Sequence, residues 1–210
     1  MPKRHELKPK KKPSQDRSRD TVDVILQATS FLLNERGYDA LTTNRIAARA
    51  GVNIATLYQY FPNKQAVFAE LMRRHASQTR AAALAVLEAE RDGGLAATIR
   101  ALVEANIAMH KITPRLHRIF TEEGPRLGIG VIESPSDLEM RRRAAAFCDS
   151  ARGRLENPEL VLWIATTAVH SLIHLAIVER PDDFASPEFA EELTRLVTAY
   201  LAREPARGGT

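Results

Sequence analysis

Residues 42–64 read TTNRIAARAGVNIATLYQYFPNK, with three bases (Arg45, Arg49, Lys64) and no acid in the stretch. The spacing predicts a short helix over about Thr43 to Ala50, a turn at Gly51-Val52-Asn53 and a second short helix over about Ile54 to Tyr60. Gly51 can take the left-handed conformation that ends the first helix without strain, and Asn53 can cap the second with its side-chain oxygen. Ala47 leaves room for the helices to pass closely. Ile46, Ala50, Val52, Leu57 and Phe61 supply a small apolar core beneath them. Two helices crossing over a tight glycine turn are the arrangement of a helix-turn-helix, whose second helix enters the major groove of DNA.

Outward from this motif every signal is helical. Upstream, Val22, Ile25, Leu26, Thr29, Leu32 and Leu33 fall at helical spacing and Gly37 stops the run. Downstream, Pro62-Asn63 punctuates the chain and Asn63 is placed to cap a longer helix. After Gly93-Gly94, amphipathic stretches cover about 95–111, 114–123, 135–153, 158–179 and 187–203, with Pro114, Pro125, Pro135, Pro158, Pro181 and Pro187 at or near their boundaries. The expected fold is all-α with about nine helices. Residues 1–19 read as a disordered basic tail, 20–66 as a three-helix DNA-binding domain and 67–205 as a helical ligand-binding and dimerisation domain.

Composition fits that reading. The chain has 210 residues, 44% of them apolar and 27% charged, which suits one domain or one and a half and excludes a low-hydrophobicity disordered chain. Its one cysteine, Cys148, excludes an internal disulfide framework and fits a quiet core thiol. No apolar leader follows Met1, so the chain is expected to stay in the cytoplasm. Of the net charge, residues 1–19 carry eight bases against two acids, or +6, and the remaining 22 bases and 24 acids give −2. A polyanion is the natural partner of such a tail. Leu160–Val178 has no formal charge over 19 residues, the length of a membrane span. Thr166, Thr167, His170, Ser171 and His174 would be costly in lipid, so a core or subunit-interface helix is expected instead of a membrane partner.

The motif resembles the DNA-binding domain of the tetracycline-repressor (TetR) family of bacterial transcription regulators. The resemblance rests on Thr43, Ile46-Ala47, Ala50-Gly51-Val52, Thr56-Leu57-Tyr58, Tyr60-Phe61 and Asn63-Lys64. It extends upstream through Ala28, Gly37 and Leu41-Thr42-Thr43, covering roughly residues 20–72. It implies a homodimer built from the last two helices, a palindromic operator in double-stranded DNA, and a small-molecule effector whose pocket lies in the C-terminal domain. The sequence agrees on the dimer, because 160–178 is too apolar to face water and 187–203 carries Phe189, Leu193, Leu196, Val197, Tyr200 and Leu201.

The expected DNA contacts divide by chemistry. Tyr58, Tyr60 and Lys64, with Thr42 and Thr43, are assigned to phosphates, where hydroxyls, ammonium groups and helix-terminal N–H groups donate. Asn53, Ile54, Ala55, Thr56 and Gln59, with Arg45 from the first helix, are assigned to bases: Ile54 and Ala55 to thymine methyls, Gln59 to adenine and Arg45 to guanine. The structural alternatives are that Tyr58 or Tyr60 packs on the neighbouring helix, that Lys64 is an ordinary solvated lysine and that Ile54 packs inside the domain. Candidate pocket residues, chosen as apolar and aromatic side chains of the middle helices, are Met109, His110, Ile112, Phe120, Phe147, Trp163 and His170. His170 and His174 stand at i and i+4, but a metal would need a third ligand such as His110 or His117 plus a carboxylate, so no metal ligands and no cofactor are assigned.

Enzyme signatures are missing: Gly128-Ile129-Gly130 lacks the third glycine and helix of a dinucleotide loop, and there is no Walker loop, HExxH or nucleophile elbow. The expected function is a repressor released by a ligand. The competing readings are a nonspecific architectural DNA binder and a helical small-molecule carrier.

Overall fold

The computed structural model describes residues 16–89, 94–129, 135–152 and 157–202. Among these the regular structure is ten helices: α1 (Asp16–Arg36), α2 (Thr43–Ala50), α3 (Ile54–Tyr60), α4 (Lys64–Ala89), α5 (Leu95–Ile112), α6 (Pro114–Arg126), α7 (Pro135–Arg152), α8 (Pro158–Glu179), α9 (Pro181–Ala185) and α10 (Pro187–Ala202). The helical fold class and the placing of α2 and α3 agree with the sequence reading. Two details differ. Helix α1 begins at Asp16, so the last residues of the expected tail are helical, while residues 1–15 lie outside the described residues. Helix α9 has only five residues, too few for periodicity to reveal, and is started by Pro181 and anchored by buried Phe184.

The chain divides into two compact units. The first contains α1, α2, α3, α4 as far as Ala76, and α6. One core joins Ile25, Leu26 and Leu33 of α1, Ile46 and Ala47 of α2, Leu57 of α3, Val67 and Phe68 of α4, and Leu116, Ile119 and Phe120 of α6. The sequence reading ended this domain at residue 66. The unit runs further because α4 and α6 supply a large share of its buried surface. Phe68 is its centre: fully buried, with its ring 5.0 Å from Tyr38 and 5.5 Å from Phe120, both edge-on.

The second unit contains the rest of α4 with α5, α7, α8, α9 and α10. Its core takes Ile99, Val103 and Ile107 from α5, Cys148 from α7, Val161, Leu162, Ala165, Ile173 and Ile177 from α8, and Leu193, Val197 and Leu201 from α10. By length and composition α8 could cross a membrane, yet it buries Val161, Leu162, Ala165, Ile173, Ala176 and Ile177 in this core. Its other side exposes Leu160, Trp163, Ile164, Leu172 and Leu175, and α10 exposes Leu196. Burial pushes the imidazole of His110, on α5, down to about 4, so this ring is neutral at pH 7.

Truncating Phe68 to alanine should destabilise the first unit by about 3–5 kcal/mol, the cost of a large buried aromatic. Denaturant unfolding of Phe68→Ala followed at the first-unit helices checks this, and a loss below about 1 kcal/mol would mean the unit does not depend on this ring.

Candidate nucleic-acid interface

The face made by α2, α3 and their turn is built from three caps. Thr42, in extended conformation, accepts a hydrogen bond on Oγ1 from the N–H of Arg45 at 3.2 Å and so starts α2. Gly51 ends it at φ +67°, with its N–H donating to the carbonyl of Ala48 and the N–H of Val52 to that of Ala47. This pair of bonds closes the last turn and turns the chain sharply. A side chain would meet nothing at Gly51 within 4 Å, so it is the backbone conformation, not space, that calls for glycine. Asn53 then accepts on Oδ1 from the N–H of Ala55 at 2.8 Å, starting α3. Asn63 does the same for α4, accepting from the N–H of Ala66 at 2.8 Å.

Burial sorts the side chains of α3. Leu57 is buried and holds the helix to the core; Ala55, Tyr58 and Gln59 face solvent, with Thr56 half-buried beside them. From α2, Thr42 and Arg45 are exposed, and Thr43 is half-buried with its Oγ1 3.0 Å from the hydroxyl of Tyr58. That bond ties the start of α2 to the middle of α3. Asn53 is exposed at the turn. Neither α2, α3 nor α4 has an acidic residue in its first turn, so the partial positive charge of the amino ends is unopposed.

Two cations at the rim are held on protein carbonyls. Arg45 donates from Nη1 to the carbonyl of Ala40 at 2.6 Å. Lys64 donates from Nζ to the carbonyl of Tyr38 at 3.3 Å, and the same ammonium lies 4.4 Å from the centroid of the Tyr38 ring. Burial, with Glu123 and Asp39 nearby, pushes the Tyr38 hydroxyl up to about 12, so Lys64 meets a neutral ring and not a phenolate. A third cation, Arg49, stacks over Phe31 with its guanidinium carbon 3.8 Å from the ring centroid. Tyr38, Ala40 and Phe31 are not singled out by the sequence reading because their partners Lys64, Arg45 and Arg49 come from another helix or loop.

Two expected contacts are placed differently. Tyr60 is buried, and its hydroxyl donates to Oγ of Ser18 at 3.3 Å, so it braces α3 against α1 instead of facing a phosphate. Ile54 is half-buried and packs against the first-unit core, leaving only part of its side chain outward. The amphipathic period of a seven-residue helix covers too few positions to separate its inner edge from its outer one.

The candidate pocket residues differ in placement and burial. Phe120 belongs to the first-unit core, stacked edge-on against Phe68. Ile112, at the end of α5, is 72% exposed, and Trp163 is 48% exposed on α8. Met109 is half-buried, and Phe147 packs against the second-unit core. His110 and His170 have ring centroids 6.4 Å apart, with His174 beside both.

The comparisons with known proteins agree with this geometry. Residues 25–71 match the model for bacterial regulatory proteins of the tetR family, and residues 94–201 match the model for the tetracyclin repressor-like C-terminal domain. The nucleoid occlusion factor SlmA of Pasteurella multocida is 40% identical over 65 residues, a match that spans 31% of each chain. The SlmA of Actinobacillus pleuropneumoniae serotype 5b is 26% identical over 151 residues, covering 72% of this chain and 68% of that one. Among solved structures, a TetR-family transcriptional regulator from Streptomyces coelicolor superposes with a TM-score of 0.60 at 26% identity, over 87% of this chain and 98% of that one. With one model on the helix-turn-helix and the other on more than half of the chain, this protein belongs to the TetR family of bacterial regulatory proteins.

Proposed function

We propose that this regulator acts in the bacterial cytoplasm as a homodimer on a two-fold symmetric operator, represses the adjoining genes, and lets go when a small molecule binds its second unit. The observation that carries the reading is the outward face of α2 and α3: Thr42, Arg45, Asn53, Ala55, Tyr58 and Gln59 share a surface free of acidic side chains in the stretch 42–64. A duplex supplies what that surface lacks. Phosphates accept from Tyr58, Thr42 and Lys64 and from the unopposed amino end of α2. Base edges in the major groove accept and donate to Asn53, Thr56 and Gln59, while Ala55 meets a thymine methyl.

Arg45 and Lys64 need only exchange a backbone carbonyl for a phosphate or a guanine edge, and a charged acceptor makes the stronger bond. One such head offers few contacts. Two heads related by a two-fold axis reach successive major grooves, about 34–36 Å apart or a multiple of that. The exposed stripe Leu160, Ile164 and Leu175 on α8, with Leu196 on α10, is the surface we assign to the second copy. For release, the effector must bind the geometry that does not fit DNA better than the one that does, and DNA must then oppose the effector by the same factor.

The purified chain is to be used to select from random duplex DNA. A two-fold symmetric motif is the expected result, whereas binding without enrichment that collapses in moderate salt would support the architectural binder instead. Gln59→Ala should change the selected motif at one position in each half-site, by about 1–3 kcal/mol of base discrimination. Retention of the wild-type motif would remove Gln59 from base readout. Tyr58→Phe and Lys64→Ala should each weaken binding to all duplexes alike, read by titration against operator and random sequence. A loss confined to the operator would contradict their assignment to phosphate.

A further inference from the structure

In the second unit, α5 and α8 bring His110 together with His170 and His174, which lie 60 and 64 residues further along the chain. His110, fully buried on α5, has its Nε2 3.1 Å from the Nε2 of His174 on α8. His170 lies one turn earlier on α8, its ring centroid 4.2 Å from that of His174 and 6.4 Å from that of His110. We propose that His110, His170 and His174 form a binding site for a late first-row divalent cation, Zn2+, Co2+ or Ni2+.

Three features of the geometry support this. The Nδ1 of His110 is 2.8 Å from the carbonyl oxygen of Asn106, so Nδ1–H donates there and Nε2 is left with its lone pair. Imidazoles that ligate metals are fixed in this same way, with the far nitrogen donating to a carbonyl or carboxylate. Next, the His110 and His174 rings converge. An end-to-end N–H···N pair would place the centroids about 5.3 Å apart, the nitrogen separation plus two ring radii of roughly 1.1 Å. They stand at 4.8 Å instead, with planes at 84°. The two rings are therefore bent toward each other and not in line. A cation about 2.0–2.1 Å from each nitrogen sets tetrahedral ligands roughly 3.3 Å apart, within a few tenths of an ångström of the observed separation.

Last, His170 and His174 are spaced i, i+4, which sets both rings on one side of α8. His170 is exposed in the single chain with its ring beside that of His174, and a rotation of its side chain would bring it to the cation as third ligand. Three imidazoles and one open position suit borderline cations over Mg2+ or Ca2+, which prefer oxygen. Without metal, His174 donates its Nε2 proton to His110. With metal, that proton leaves Nε2, Nδ1 of His174 carries the hydrogen instead, and both Nε2 lone pairs reach the cation.

The test is a titration of the untagged, metal-stripped full chain with Co2+, followed by visible d–d absorption, with Zn2+ added in competition. One equivalent of Co2+ per chain should bind with the intense bands of a four-coordinate ion, and Zn2+ should bleach them. His174→Gln and His170→Ala should each lower Co2+ affinity at least tenfold. Absence of the bands in the unmodified chain, or unchanged affinity in either variant, overturns the site. Thermal melts accompany both variants, and should His174→Gln fail to fold, the exposed His170→Ala decides.

Discussion

Helices of eight and seven residues do not persist in water by themselves, so α2 and α3 exist because Ile46, Ala47 and Leu57 are buried in the first-unit core. Everything the outward face of α2 and α3 presents depends on that burial. Leu57 is fully buried, and Tyr58 and Gln59 next to it are thereby directed outward. Tyr60 completes the anchorage from the far side through its bond to Ser18 of α1. The left-handed Gly51 fixes the angle at which the two helices meet. A reading helix held this way loses little conformational freedom when it enters a groove, which is how preorganisation contributes affinity.

The same economy governs the polar side chains. Thr43 and Tyr58 hold each other, Arg45 rests on the carbonyl of Ala40, and Lys64 rests on the carbonyl and ring of Tyr38. Each of these groups is already oriented near the rim of the face, and each can trade a neutral acceptor for a phosphate oxygen. Tyr38 links the rim to the core, because its ring meets Lys64 on one side and Phe68 at 5.0 Å on the other.

What could be read from sequence was local. Gly51, Asn53 and Asn63 act within three residues of themselves, and their turn and cap chemistry is found where residue type and spacing placed it. The tertiary assignments were harder. Tyr60 is occupied by a residue 42 positions away, and Phe120 is claimed by Phe68 of another helix, neither of which leaves a periodic trace. Ile112 is apolar and so reads as a pocket candidate in sequence, yet it closes α5 and is exposed. His170 and His174 were visible as a pair at helical spacing. His110, 64 positions from His174, stands in the sequence as one candidate partner beside His117, and it is the packing of α5 against α8 that sets its Nε2 3.1 Å from that of His174.

The central claim is that residues 42–64 form the surface that meets DNA. Hydrogen exchange with and without the selected duplex tests it most directly. Slowed exchange at the start of α2, through the turn and along α3 is the result this account predicts. Unchanged exchange across 42–64, with protection appearing elsewhere in the chain, would contradict it.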